Sequence, residues 1–357
     1  MPKIRIREKD KTQGTLAYAN DTVIFLTDTN GKDVPELVTS GTGLSNESII
    51  NKMVSLGGKV VVGKSYSTAK EYLKDRNQFD IKFLLVDDAG NDENADLKDA
   101  IEIVNARRDC AIVYNKKSAT YSESEKTLLT GIVSTTGDDF LNSETKSYVG
   151  KYVLPYYGKN LTSGSESFSS GVAYILAFLS SANTNPEWLA VAGSKRGLIP
   201  ESLTVGSLKE SEIDEMQPRG AGIAINPIVN MNPWGVRIWG NRTALTLPTA
   251  EGDENLVASS FANIRVLICD LKKRLYRAGR QYQFEQNTDV LWVNFQSSVN
   301  TLLEEMVQSY GIAGYKWIRE ETTDRAKLKG ILRIIPIEPV EDFDLTLELV
   351  DSLEVTE

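Results

Sequence analysis

The sequence predicts an α/β protein: an N-terminal open sheet with flanking helices, a compact C-terminal α+β unit, and extended strand arms at both termini. Three observations carry this. From about residue 59 to residue 180, short β-branched and apolar runs alternate with helical stretches, the pattern of an open sheet covered by helices. Two long amphipathic segments, each followed by a glycine, and then two strand-like runs fill the C-terminal part. Residues 3–7 and 343–349 alternate apolar and charged side chains with a period of two.

Element by element, residues 22–26 read as a strand, 48–56 as helix-like, 59–62 as a β-branched strand and 66–76 as a helix. A buried strand over 81–86, a helix over 95–108, a strand over 110–114 and a helix over 122–133 follow. Residues 148–154 read as a further strand and 168–179 as an apolar helix. A helix over 255–278 places Phe261, Ile264, Leu267, Ile268, Leu271 and Leu275 on one face, with Gly279 as its stop. The helix over 289–310 carries Trp292, Phe295, Val299, Leu302, Leu303 and Met306 at helical spacing and ends at Gly311; 315–319 and 330–335 complete the unit as strands. The expected organisation is an arm over 1–20, an α/β domain over 21–205, a C-terminal domain over 206–337 and an arm over 338–357.

Composition excludes several chemistries. The 357 residues contain no histidine, so no histidine-based triad, zinc-protease motif or imidazole acid/base pair exists. Two distant cysteines, Cys110 and Cys269, form neither a zinc pair nor a CxxC motif and read as small core residues in a reducing compartment. No apolar run approaches the ~18 residues of a membrane span, and no apolar stretch backs the basic start, so a soluble, intracellularly made chain is expected. The net charge of −9 argues against a nucleic-acid coat. That charge is uneven: Glu338, Glu341, Asp342, Asp344, Glu348, Asp351, Glu354 and Glu357 give the last twenty residues −8 with no Lys or Arg, while Lys3, Arg5, Arg7 and Lys9 against Glu8 give the start +3. Ile4 and Ile6, and Phe343, Leu345, Leu347 and Leu349, form the apolar faces of these termini. Composition leaves two readings open, terminal strands of the chain's own sheet or arms that pair with neighbouring subunits.

Gly58 to Ser65 matches GxxxxGK[ST], and Asp87 ends an apolar run as a Mg²⁺-holding carboxylate would, so a nucleotide hydrolase is the alternative reading. The context opposes it, because the three valines occupying the would-be phosphate loop are themselves a strand. Asp87, Asp88, Asp92, Glu93 and Asp96 surround Gly90 without EF-hand spacing and read as a helix-capping acidic loop. Trp234 and Trp239 read as core-filling aromatics of a strand, and Arg242 as a structural hydrogen-bond fork. The cluster Lys272, Lys273, Arg274 and Arg277 suits a helix C-terminus.

Read in order, residues 186–315 resemble the tail sheath proteins of contractile phage tails and related injection systems. The resemblance rests on Pro186-Glu-Trp188 followed by Ala-Gly and Arg196-Gly197, on Ile225-Asn226-Pro227-Ile228, on Trp239-Gly240-Asn241-Arg242-Thr243, on Phe284-Glu285-Gln-Asn287, and on Gly311-Ile-Ala-Gly314-Tyr315. One departure is Ile264-Arg265-Val266, where the family commonly has an Arg-Arg pair. The resemblance implies a structural, non-enzymatic subunit without a cofactor. Such subunits stack as rings into a helical tube around an inner tail tube, meet baseplate and terminator proteins, and contract to drive the tube through a host envelope. It also favours the arm reading, with Lys3, Ile4, Arg5, Ile6, Arg7 and the 343–349 stripe reaching into neighbours, and it makes Lys272, Lys273, Arg274 and Arg277 the candidate tube-facing residues. Hinges are then expected at 12–15 and 336–339. The expected location is the virion tail, with no direct nucleic-acid contact and no membrane insertion.

Overall fold

The computed structural model describes residues 23–27, 46–63, 66–76, 80–88, 94–131, 149–219, 222–246, 256–320, 326 and 328–341. Strand β1 (Val23–Thr27) leads to helix α1 (Asn46–Ser55), then β2 (Lys59–Gly63), α2 (Tyr66–Leu73), β3 (Phe83–Asp87), α3 (Ala95–Arg107), β4 (Ala111–Asn115) and α4 (Glu123–Leu129). Next come β5 (Val153–Tyr157), a small hairpin of β6 (Thr162–Ser163) and β7 (Glu166–Ser167), α5 (Ser170–Ala182), α6 (Gly193–Arg196), α7 (Glu210–Met216), β8 (Asn226–Met231) and β9 (Gly235–Ile238). Helices α8 (Ala262–Gln281) and α9 (Asp289–Gln308) and strands β10 (Ile312–Glu320) and β11 (Lys329–Pro336) close the series.

Seven strands form one sheet in the order β2-β1-β3-β4-β5-β8-β9, parallel except for β9. Alternation along β3 and β4 sends Phe83, Leu85, Ala111 and Val113 to one face and Leu84, Val86, Ile112 and Tyr114 to the other, so the central strands are apolar on both sides. On the first face lies α5, buried from Ser170 through Leu179, which explains its nearly unbroken apolar sequence. Its Tyr174 stacks on Tyr156 at 4.2 Å and its Phe178 meets Phe83 edge-on at 5.0 Å. Burying each such ring contributes about 2–3 kcal/mol. The opposite face is covered by α2 and α3. Helix α4 is started by a capping box, Ser122 Oγ accepting from Glu125 N at 3.3 Å and Glu125 Oε2 from Ser122 N at 2.7 Å.

A separate core joins α8, α9 and the antiparallel β10–β11 pair, with Trp188, Leu267, Leu271, Val299, Leu303, Met306 and Ile312 at its centre. Helix α9 ends where the chain turns through Tyr310 (φ 61°): Gly311 N donates to Met306 O at 2.8 Å and Tyr310 N to Val307 O at 3.3 Å, a Schellman closure with tyrosine in the left-handed position. Gly311 is needed for another reason, since a Cβ there would stand 2.7 Å from Trp188 Cδ1.

Several expectations are corrected. Residues 149–152 form a 3₁₀ turn before β5 rather than the first half of a strand. Helix α8 begins at Ala262, because Phe261 is extended and bridges Arg242, and it runs through Gly279, which takes no left-handed conformation. The sheet itself continues past residue 205, as β8 and β9 extend it beyond β5. Trp234 and Trp239 flank the four-residue edge strand β9 and are 49% and 37% exposed, so neither fills the core. Val60 to Val62 pair with β1 residue for residue and form a strand, not a phosphate loop, while Lys64 and Ser65 lie outside the described residues. Gly58 is a packing glycine, as its Cβ would lie 2.9 Å from Leu179 Cδ1 and from Met53 O.

Candidate functional site

The residues that carry the sequence resemblance assemble largely into one polar junction between the sheet and the C-terminal core. Asn226 opens β8 and is fully buried. Its Nδ2 donates to Pro155 O of β5 at 2.9 Å and to Arg242 O at 2.7 Å, and its Oδ1 accepts from Arg242 N at 2.6 Å. One amide therefore ties β5, β8 and the segment after β9 together, which matters because β5 and β8 share only two register pairs. Pro227 lacks an N–H but its carbonyl accepts from Trp239 N at 2.9 Å. Gly240 is required here: a Cβ would stand 2.6 Å from Asn226 Oδ1 and 2.8 Å from Asn226 Cα. At Gly197, which ends α6, a Cβ would stand 2.4 Å from Ile238 O, and the Gly197 carbonyl accepts from Ile238 N at 2.9 Å. Arg196 Nε donates to Ala190 O at 2.8 Å, fixing the turn that leads into α6.

A chain of hydrogen bonds carries this junction into the second core. Asn241 Nδ2 donates to Asn263 Oδ1 at 2.7 Å, Asn263 Nδ2 to Trp188 O at 3.0 Å, and Trp188 Nε1 to Ser309 O at 3.3 Å at the end of α9. Thr243 adds Oγ1 to Ser259 O at 2.9 Å.

Arg242 ties the junction to Glu341. Its side chain is 5% exposed, and Nε reaches both carboxylate oxygens of Glu341, at 2.9 and 2.7 Å, while Nη2 also bonds Oε2. Nη1 lies 3.4 Å from Pro218 O, and the guanidinium sits 5.9 Å from the Phe261 ring centre. Glu341 is the last described residue, at the root of the acidic terminal segment. The sequence marked Arg242 as a fork but not its partner. The available signal was Glu341 itself, an acid two residues beyond Pro339.

The remaining candidate residues lie elsewhere. Phe284, Glu285 and Asn287 sit exposed between α8 and α9, with Phe284 93% exposed at φ 73°. Lys272, Lys273, Arg274 and Arg277 are used inside the subunit. Lys273 is buried, donates to Ile81 O at 2.7 Å and pairs with Asp80 at 2.8 Å. Arg277 also holds Asp80, Lys272 donates to Arg108 O at 3.2 Å, and Arg274 pairs with Asp270 at 2.8 Å. Burial lowers the Lys273 ammonium from its ordinary value. Asp87 is likewise structural: it accepts from Asn115 Nδ2 at 2.7 Å, Asn115 Oδ1 receives Ser170 N at the start of α5, and burial pushes the Asp87 carboxyl up to about 6. Asp88 pairs with buried Lys116 at 3.0 Å. Burial pushes the Cys110 thiol up to about 12, as expected of an inert core cysteine. Lys3 to Arg7, the 12–15 hinge, and Phe343, Leu345, Leu347 and Leu349 lie outside the described residues.

Known structures superpose along almost the whole chain. A sheath chain of the PVC extracellular contractile injection system in its contracted state matches with TM-score 0.66 at 15% identity, covering 98% of this chain and 97% of that one. The fold is that of a contractile sheath subunit. A chain of the contracted helical sheath of the anti-feeding prophage has the same fold, with TM-score 0.57 at 14% identity and 97% and 98% coverage. In sequence, the chain is 26% identical over 243 residues to a tail sheath protein of Vibrio phage KVP40, which covers 64% of this chain. It spans about a third (34%) of that relative's length. No family model matches the chain.

Proposed function

We propose that the chain is the structural subunit of a contractile tail sheath. It polymerises as stacked rings into a helical tube around an inner tail tube, and its contraction drives that tube through a host envelope. The observation that carries this reading is the end-to-end coincidence with the PVC sheath chain, 98% of one on 97% of the other. The work of contraction then comes from subunit contacts, and the subunit performs no reaction of its own.

Inner-tube, baseplate and terminator proteins are the partners, and the assembled tail is the site of action. The terminal arms, Lys3 to Arg7 and Phe343 to Leu349, join neighbouring subunits by strand addition. In support, β10 and β11 form a two-stranded sheet in which, among the described residues, neither strand has a second neighbour, so two edges are open to pairing. Such heterologous contacts propagate into open filaments rather than closed dimers. The four basic residues around Lys273 are not carried into this reading as a tube-facing surface, since each has an intramolecular contact.

The test is expression of the full chain with and without the tube protein of its own gene cluster, followed by negative-stain electron microscopy. Hollow, striated tubes are expected. A monodisperse monomer under every assembly condition would sink the reading.

A further inference from the structure

Strands β10 and β11 turn one face to the helical core and the other outward. Tyr315 opposite Ile334 and Trp317 opposite Leu332 pack against the core. By alternation the register pairs Gly314–Ile335, Lys316–Arg333 and Ile318–Ile331 lie on the other face. That face combines apolar and cationic groups: Ile335 is 64% exposed, and two exposed cations stand directly opposite each other. Like charges opposed across a strand pair repel. The other two cations of these strands are paired, Arg319 with Asp289 and Lys329 with Glu320, whereas among the described residues Lys316 and Arg333 meet no carboxylate.

A surface of complementary composition lies elsewhere on the same chain. Helix α7 carries Glu210, Glu212, Asp214 and Glu215. Glu212 is committed to the start of its own helix and to Lys159, while among the described residues the other three meet no cation. Beside α7 and β8 lies a pocket of about 460 Å³ walled by Ile213, Val229, Met231 and Trp239 together with Glu210 and Asp214. Carboxylates next to an indole ring suit a guanidinium or ammonium group, and the aliphatic walls suit an isoleucine side chain.

We infer that the outer face of β10 and β11 docks onto α7 and its pocket in a second copy of this chain, with Lys316 and Arg333 toward Glu210 and Asp214 and Ile335 toward Ile213 and Trp239. Both halves of the charge match are built on one chain and both stand exposed on it, so a second copy supplies what the first lacks. The inference rests on the polymerising-subunit reading for that occupant. Two different surfaces meeting make a heterologous contact, which repeats along an open assembly. The contact engages the face of the two-stranded sheet and leaves its edges available for strand addition.

The experiment mixes two full-length variants, Gly314→Cys on the sheet face and Ser207→Cys on the pocket wall, with a short bismaleimide. A Cβ at Gly314 meets nothing within 4 Å, Ser207 is exposed, and Cys110 and Cys269 are buried and stay unlinked in the folded protein. The mixture is expected to give a covalent dimer holding one of each, and neither variant alone should link to itself. Lys316→Glu with Arg333→Glu in the first chain should cut the yield at least about tenfold, with far-UV circular dichroism showing each variant folded. Adding Glu210→Lys and Asp214→Lys to the second chain should restore it. Absence of the mixed dimer would overturn the docking, and a yield that ignores the first reversal or does not recover with both would overturn the charge match. Dimers of the Gly314→Cys chain alone would make the contact symmetric, and a chain carrying both cysteines that links internally at monomer mass would make the occupant its own helix; either overturns the inference. Tube formation is scored separately by electron microscopy. Mixed dimers without tubes would keep this contact and remove the sheath reading, while tubes whose cysteines never link would do the reverse.

Discussion

Arg242 and Glu341, 99 residues apart, meet in a largely buried two-pronged ion pair in which Nε lies 2.9 and 2.7 Å from the two carboxylate oxygens. The arginine is 5% exposed and the glutamate 19%, so water replaces little of what either loses on separation. The pair anchors the chain two residues beyond Pro339, the end of the hinge expected at 336–339. Arg242→Ala should lower unfolding free energy by about 3 kcal/mol, measured by urea titration. Arg242→Lys should recover only part, because an ammonium cannot reproduce the planar fork. A full-stability Arg242→Ala chain would show that the pair is dispensable.

Asn226 makes three hydrogen bonds that bridge β5, β8 and Arg242. Removing them strands the Pro155 and Arg242 carbonyls and the Arg242 N–H away from water. Asn226→Ala should cost about 2–4 kcal/mol, and Asn226→Asp at neutral pH at least as much, since an ionised carboxylate cannot donate to the two carbonyls. Gly240→Ala should cost about 1–3 kcal/mol through the contact with the Asn226 backbone. Equal chemical-denaturation midpoints for Asn226→Ala and the parent chain would contradict this account.

Asp87 gives the fold a pH dependence of defined sign. Burial raises its carboxyl from 3.8 to about 6, so the folded chain holds its proton more tightly than the unfolded one. The folded state therefore gains from protonation below pH 4, and this gain is lost as pH rises to about 6. Asp87→Asn keeps an oxygen to accept the Asn115 bond and removes the buried charge. At pH 7 it should raise stability by about 1–2 kcal/mol and should flatten the stability slope between pH 4 and 6. Parallel slopes for the two proteins would refute it.

Most strands and helices were legible because their signals are local. The apolar runs over 81–86 and 110–114 and the helical spacing of Trp292 to Met306 lie within a few residues and need no tertiary knowledge. Errors arose where a distant contact decided. Phe261 is extended because it bridges Arg242, which delays α8 by several residues against its own periodicity. Gly311 looked like a helix stop, yet Tyr310 takes the left-handed turn and the glycine makes room for Trp188. The short motifs located the junction without disclosing it. Asn226, Gly240 and Arg242 were marked as residues, but their mutual bonds and the Glu341 partner exist only once β8 and β9 are added to the sheet. The partners of the basic residues of α8 were hidden for the same reason, because they come from Ile81, Arg108 and Asp80, far away in sequence.

Phe284 presents a 93% exposed aromatic ring on a left-handed backbone, φ 73°, at the turn between α8 and α9. An L-residue there costs about 1–2 kcal/mol, and in the isolated subunit the ring returns nothing through burial. Glycine relieves the strain but adds freedom to the unfolded chain, so Phe284→Gly should raise the subunit's stability by up to about 1 kcal/mol. If the ring is retained to seat against another subunit, the same substitution should shorten or abolish the tubes while the monomer grows more stable. Thermal unfolding of the monomer and tube lengths in electron micrographs separate the two effects. A stabilised variant that forms tubes of normal length would leave Phe284 with no part in assembly.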